Sequence, residues 1–287
     1  MSEVAEIVRG SHARVGGVPE HRARRIRIID LRDPEAFARA HIPGASRLGP
    51  EEIDLPYLRP PRRRPLALVA EVPARALEAA ERLREIGYDA RAVDASTLSW
   101  TGAWESGRER APAWEPSRLV AEWAERLVGL RGVVDLGCGS GRDAVYLALR
   151  GLDVTAIDLL PDALEQGRRL AARHGVAVSF VRADIEREPE CWTGPWDVIN
   201  VQRFLDRRSL PLMPERLRQG GYLLYETFID RQAESGRTPR NPAFLLRAGE
   251  LREAAGRGLT ILDDREGLSD DGDWTASLIA RKEREGG

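Results

Sequence analysis

The residues of this chain with the clearest chemical consequence are carboxylates standing at the ends of apolar runs. Asp135 lies just ahead of Gly137, Gly139 and Gly141 in the run Val133-Val134-Asp135-Leu136-Gly137-Cys138-Gly139-Ser140-Gly141-Arg142-Asp143. An apolar strand that turns through such glycines into a helix brings backbone close to a nucleotide-like ligand. Asp158 follows a second run, Asp153 to Ile157, and Asp184 follows a third, Val178 to Ala183. A carboxylate at the tip of a parallel strand can accept hydrogen bonds from ribose hydroxyls, at the crevice where doubly wound sheets bind ligands. Two nucleotide motifs are excluded. The third glycine comes too early for the dinucleotide fingerprint, with Arg142 in its expected place, and a P-loop needs a lysine, whereas the only lysine here is Lys282. Acids at successive strand tips with no cationic cradle suit an uncharged or cationic nucleoside better than a polyphosphate. Asp158 has a competing use as a cap for the helix that opens near Pro161. Cys138 is explained by its small size inside the turn.

The elements that must position these acids alternate. After the glycines come a helix from about Asp143 to Arg150, the Asp153–Ile157 strand, a helix from Pro161, and the Val178 strand. Trp196 to Val201 reads as a fourth strand, Gly220 to Glu226 as a turn with a fifth, and Trp274 to Ala280 as a last one. Ahead of them Ser117 to Leu130 carries Leu119, Val120, Trp123, Leu127 and Leu130 at helical spacing.

On these residues the sequence from Gly132 to about Ala280 resembles the class I S-adenosylmethionine-dependent methyltransferases, with Val134 to Gly141 matching their first motif. Arg203-Phe204-Leu205-Asp206-Arg207, Tyr225-Glu226-Thr227-Phe228 and Pro239 to Leu246 resemble the tellurite-resistance-type branch. The resemblance implies a Rossmann-like, mostly parallel seven-stranded sheet with helices on both faces, and S-adenosyl-L-methionine as cofactor. It implies that Asp135 and the turn of Gly137, Cys138, Gly139 and Gly141 pass the methionine part. Asp158 with Leu159 takes the ribose, Asp184 with Ile185 borders the adenine, and Asn200, Gln202 and Arg203 face the methyl end. Glu226 is the expected acceptor-side residue and, with Arg203, the catalytic candidate. For Arg203 a salt bridge to Asp206 or a neighbouring acid competes with that role. Arg240 and Asn241 lie in a loop that would pack or recognise acceptor. The aromatic motif of enzymes that methylate DNA-base amines is missing, since the matching stretch reads Asn200-Val201-Gln202-Arg203.

The first hundred residues alternate strand and helix on their own: Arg27–Leu31, Pro34–Ala40, Leu66–Ala70 and a helix Arg75–Ile86 with Leu77, Ala80, Leu83 and Ile86 at three-residue steps. Asp30 to Phe37, His41-Ile42-Pro43-Gly44-Ala45, Glu85-Ile86-Gly87-Tyr88 and Trp104 resemble a rhodanese-like domain. Its active members carry sulfur on a cysteine, and the matching position here is Ala70, followed by Glu71-Val72-Pro73-Ala74-Arg75. An alanine cannot be a nucleophile, and Pro73 removes an amide donor. The division expected is a rhodanese-like α/β domain over 1–107, without sulfurtransfer, a linker over 108–116, and the methyltransferase domain over 117–287.

Composition bounds the rest. With 287 residues there is room for two domains; 44 basic and 46 acidic residues leave a net charge of −2, and nothing demands a nucleic-acid partner. The run Arg22 to Arg27 and the stretch Pro60 to Pro65 read as solvated faces. Two cysteines, Cys138 and Cys191, give no disulfide framework or zinc cluster, no apolar run is long enough to span a bilayer, and the start lacks a secretory pattern, so the expectation is a cytoplasmic protein. His12, His21 and His41 belong to the first domain and His174 ends a helix away from the strand tips, so a histidine base is not expected and the acceptor is either nucleophilic unaided or activated by Glu226. Two functions stay open: methyl transfer to a small-molecule, soft acceptor (S, Se, Te or As), the rhodanese-like domain serving structure, regulation or substrate presentation; or a non-catalytic S-adenosylmethionine-binding module acting through protein partners.

Overall fold

Apolar β-branched runs of five or so residues separated by glycine turns dictate strands buried on both faces. A computed structural model describes residues 26–94, 104–107 and 112–284. His12, His21, Arg22 to Arg25 and the linker residues Arg108 to Ala111 lie outside the described residues. The chain divides into two compact units, Met1–Glu115 and Pro116–Gly287.

The first unit is built on a parallel sheet of β1 (Arg27–Asp30), β2 (Ser46–Arg47), β3 (Leu66–Ala70) and β4 (Ala90–Asp94), in the order β2-β1-β3-β4. Helix α1 (Pro34–Arg39) starts where Asp33 accepts the Glu35 and Ala36 amides, with Pro34 at the position that needs no N–H. His41, after it, is buried, stacked on Phe37 with ring centroids 3.9 Å apart. Helix α2 (Pro73–Glu85) corrects the three-residue reading. Its buried face is Ala76, Ala79, Ala80 and Leu83, while Leu77 and Ile86 are exposed. Steps of three fall behind a 3.6-residue turn, so Leu77 and Ile86 sit at opposite margins of the stripe that Ala80 and Leu83 centre. Part of the stretch read as a linker is anchored: Trp114 is buried and Glu115 accepts from Arg27 Nη1 at 2.6 Å and Arg63 Nη2 at 2.7 Å.

The second unit holds a seven-stranded sheet of β5 (Gly132–Leu136), β6 (Asp153–Asp158), β7 (Val178–Arg182), β8 (Trp196–Gln202), β9 (Leu217–Phe228), β10 (Thr260–Leu268) and β11 (Trp274–Arg281). The order is β10-β11-β9-β8-β5-β6-β7, and only β11 runs antiparallel to its neighbours. This is the mostly parallel Rossmann-like sheet expected. Period-two alternation splits its centre: Val134, Leu136, Ile199, Val201, Leu223 and Tyr225 pack on one face, and Val133, Val198 and Leu224 on the other. Helices α3 (Arg118–Trp123), α4 (Arg142–Ala148), α5 (Pro161–His174) and α6 (Glu250–Ala255) cover it. The helix expected over Ser117–Leu130 is shorter, passing into a 3-10 turn over Ala124–Leu127.

Candidate cofactor and acceptor site

The carboxyl ends of β5, β6, β8 and β9 gather the acids and amides singled out above. Gly137, Gly139 and Gly141 all take positive φ, at 66°, 53° and 70°, a region that side chains strain to reach. A Cβ on Gly137 would lie 2.6 Å from Phe204, and one on Gly141 2.7 Å from Phe180, whereas one on Gly139 would meet nothing within 4 Å. Gly139 therefore faces open space, and the turn is shaped so that a ligand can approach bare backbone there.

Asp158 holds that turn from the neighbouring strand. Its Oδ2 accepts from Gly139 N at 2.8 Å and its Oδ1 from Leu160 N at 2.9 Å. It secures both the glycine turn and the entry to α5, and each oxygen retains a lone pair. Leu159 and Leu160 beside it are half-exposed or more, an unusual placement for leucine that leaves an apolar ledge next to the acid. Asp184 is half-buried, accepts from the Arg187 amide and pairs with the Arg187 side chain at 3.5 Å, and Ile185 is in the core.

A buried polar row crosses the strand tips on the face covered by α3 and α4. Asn200 Nδ2 donates to Asp135 Oδ1 at 2.7 Å, and Gln202 Nε2 donates to Asn200 Oδ1 at 3.0 Å. Among the described residues Asp135 Oδ2 and Gln202 Oε1 are buried without a hydrogen-bond partner, two acceptors left over in a region where such groups are normally satisfied. Burial, with Asp143 and Asp158 adding to it, pushes the Asp135 carboxyl well above the usual range against the Asn200 bond. Asp143, which accepts the Ser117 amide at 2.6 Å, is pushed up by burial to about 6. Burial, with the same acids, also raises the Cys138 thiol, so it stays protonated.

Glu226 is opposite Gln202 in the β8–β9 register and is 5% exposed. Burial raises its carboxyl, while Arg203 and Arg118 pull it down and Asp271 and Asp143 push it up. Arg203 is the one non-glycine residue with positive φ among those described, at 60°, fixed by its N–H to the Glu226 carbonyl at 2.8 Å. Its guanidinium lies over the Phe228 ring, donates to Asp273 at 2.7 Å, and comes within 3.7 Å of Glu226 and 3.9 Å of Asp271. Of the salt bridges expected for Arg203, to Asp206 or a neighbouring acid, those formed are to Asp273, Glu226 and Asp271 rather than to Asp206. Asp206 is occupied by the Ser209 hydroxyl and the Arg208 amide.

Arg203 and Phe204 also form one wall of a pocket of about 490 Å³, with Leu205, Thr227, Phe228, Thr238, Pro239 and Phe244 around it and Glu186 among the lining residues. Glu226 does not line this pocket, whereas Arg203, within 3.7 Å of its carboxyl, does. The loop that supplies Thr238 and Pro239 is pinned by residues no motif pointed to. Gln232, fully buried, donates to Thr238 O and to Asp273 Oδ1 at 3.0 Å each and accepts the Trp274 amide, and Arg237 pairs with Asp273 at 3.1 Å. Asp273 thus joins Arg203 to the loop. The only sequence signal was an acidic run, Asp270-Asp271-Gly272-Asp273, which reads as an exposed turn. Arg240 donates to Gly236 O and Asn241 caps a short turn by accepting from Ala243 N, so both pack the loop. A second cavity, about 540 Å³, lies at the opposite strand ends near Gly132 and Asp153, away from every acid of the row.

Residues 133–220 match the model of a methyltransferase domain, and residues 19–103 that of a rhodanese-like domain. The chain is 32% identical over 127 residues to a ubiquinone biosynthesis O-methyltransferase of Pectobacterium carotovorum, covering 42% of this chain and 52% of that one. A protein of the same name from Pseudomonas aeruginosa is 31% identical over 105 residues, covering 36% and 45%. The chain spans about half the length of these relatives. Among solved structures, TehB from Haemophilus influenzae is 25% identical, with a TM-score of 0.48 over 57% of this chain and 61% of that one.

Proposed function

We propose, for a chain whose second unit is an S-adenosylmethionine-dependent methyltransferase domain and whose first is a rhodanese-like domain, that the whole protein transfers a methyl group to a small-molecule, soft acceptor (S, Se, Te or As). The observation that carries this reading is the glycine turn held by Asp158 and opening at Gly139, with the unpartnered oxygens of Asp135 and Gln202 beside it. These groups fit the cofactor: bare backbone for close approach, acceptors for an ammonium or hydroxyl, and carboxylates for a cation. The bound sulfonium supplies the activated methyl carbon. The protein then has to align acceptor and methyl group and to exclude water, which Phe204 against the glycine turn and the apolar ledge at Leu159 and Leu160 support. Asp158 and Leu159 would hold the ribose, Asp184 and Ile185 the adenine edge, and Asn200 and Gln202 the methionine end.

Glu226 and Arg203 take positioning roles in this scheme. Glu226 is off the pocket wall, while Arg203, 3.7 Å from it, is on it, which argues against Glu226 taking a proton directly from an acceptor there. A soft nucleophile needs no such base. The first unit has no cysteine, so it serves structure, regulation or substrate presentation. The test is calorimetry with S-adenosylmethionine followed by S-adenosylhomocysteine production on a panel of thiols, selenite, tellurite and arsenite. Tight binding with no turnover on any acceptor would leave the cofactor-binding module as the better account.

A further inference from the structure

We infer that the acceptor is an organic thiol carried on an aromatic ring rather than a bare oxyanion; this rests on the methyl-transfer reading above. The pocket beside Arg203 supports it by its lining and its size. Its walls are the rings of Phe204, Phe228 and Phe244 with Leu205 and Pro239, and the only hydroxyls among them are those of Thr227 and Thr238. Its volume of about 490 Å³ lies within the range of about 300–1,000 Å³ that small organic ligands fill, and far exceeds an ion a few atoms across. Rings of this kind stack on or edge against another ring.

Charge decides against the oxyanion. A compact oxyanion leaving water needs cations that are free to pair with its small, strongly hydrated oxygens. The one cation lining this pocket among the described residues, Arg203, already faces Asp273 at 2.7 Å, Glu226 at 3.7 Å and Asp271 at 3.9 Å, and Glu186 adds another carboxylate to the pocket. Its flat side is spent on Phe228. Arg237 answers part of this through Asp273 at 3.1 Å, and the carboxylates gathered around Arg203 and the pocket still outnumber these two cations. An aryl thiol ionises below the ordinary thiol range near about 8.5, so it gives its proton to bulk solvent before it is enclosed, and the single charge it brings, spread over sulfur and ring, faces the sulfonium of the cofactor. The thiolate sulfur then attacks the methyl carbon. A sulfur–carbon bond forms to the acceptor as the methyl–sulfonium bond breaks, its electron pair passing to the cofactor sulfur, which leaves an aryl methyl sulfide and neutral S-adenosylhomocysteine.

The test offers thiophenol, selenite and tellurite in parallel to the full-length protein with S-adenosylmethionine, corrected for the uncatalysed rate. Thiophenol should be used with a kcat/KM at least about tenfold above either oxyanion, and Phe244→Ala, at a half-exposed ring whose loss leaves the core intact, should raise the KM for thiophenol about tenfold while the affinity for S-adenosylmethionine is unchanged. Selenite or tellurite outpacing thiophenol, or an unchanged thiophenol KM in Phe244→Ala, overturns the inference but not methyl transfer. If neither these three nor the other thiols and arsenite of the wider panel are methylated, the methyl-transfer reading falls, and calorimetry of methyl phenyl sulfide in the presence of S-adenosylhomocysteine decides the pocket separately: binding that weakens in Phe244→Ala supports an aryl sulfur site, and no binding overturns it.

Discussion

Two glycines of one turn, two positions apart, should fail in opposite ways when given a methyl group. Gly137 and Gly139 share positive φ, so alanine costs each about 1–2 kcal/mol of backbone strain. At Gly137 the new Cβ also collides with Phe204, whereas at Gly139 it projects into open space. Gly137→Ala should therefore lower unfolding stability well beyond the strain alone. Gly139→Ala should stay folded, within about 2 kcal/mol of the parent, and lose S-adenosylmethionine binding, since the methyl occupies the approach to bare backbone. Denaturant titration and calorimetry on the two variants separate these outcomes, and a Gly139→Ala protein with unaltered affinity would remove the turn from the cofactor site. Asp158→Ala should weaken cofactor binding by about 1.5–3 kcal/mol, the scale of a lost charged hydrogen bond, with a further loss because the Gly139 amide is freed. Unchanged calorimetric affinity would confine Asp158 to the turn and to the start of α5.

At the scale of elements, a side-chain clasp holds the segment carrying the Phe244 wall. Arg207 pairs with Glu250 and donates to Leu245 O at 2.6 Å and Ala243 O at 3.0 Å, while the Arg247 amide donates to Glu250 at 2.9 Å. These bonds hold the Glu250 carboxyl down at about 2, led by the Arg207 bond. A carboxylate depressed in the folded state stabilises above its unfolded value and loses that contribution as pH falls through the folded one. Glu250→Gln should cost about 1.5–3 kcal/mol at pH 7, and the gap to the parent should narrow between about pH 4.5 and 2, as read by urea unfolding at several pH values. How far such elements were legible depended on what marks them. The strands β5, β6, β7 and β8 announce themselves by apolar runs closed by acids or amides, and their tips carry the candidate site. Strand β10 does not, because Asp263, Asp264, Arg265 and Glu266 break any apolar alternation. It is an edge strand, where charge protects against stray pairing and so erases the pattern that would reveal it. The network around Arg203 was hidden for a related reason. Gln232 and Arg237 are far from Asp273 in sequence, all three are polar, and only the fold joins them through Asp273 to Arg203. Arg203 reaches Asp273 rather than the nearby Asp206, a pairing that no spacing encodes.

For the molecule as a whole, burying acids on the α3 and α4 face of the second unit sets how stability responds to pH. Asp143 rises from 3.8 to about 6, chiefly through burial, and Asp135 is raised too. Between these values the folded chain keeps a proton on Asp143 that the unfolded chain has released. The folded state then binds more protons, so this contribution is full below about pH 4, falls as pH rises, and is gone above about pH 6. Asp143→Asn keeps an oxygen for the Ser117 amide but cannot titrate. The parent should be favoured over this variant at pH 4 relative to pH 7 by roughly 2–3 kcal/mol, since each tenfold gain in proton affinity on folding is worth about 1.4 kcal/mol. Urea midpoints at pH 4.5, 5.5, 6.5 and 7.5 check it, and parallel curves for the two proteins would show that Asp143 does not titrate in this range. The same acids explain what a cationic ligand does for the fold. Above about pH 6, where Asp143 is ionised, its charge bears on the buried Asp135 carboxyl, and a sulfonium and ammonium seated at the glycine turn would offset it. The rise in Tm given by saturating S-adenosylmethionine should therefore be larger at pH 7.5 than at pH 5 in the parent, and Asp143→Asn should flatten that difference.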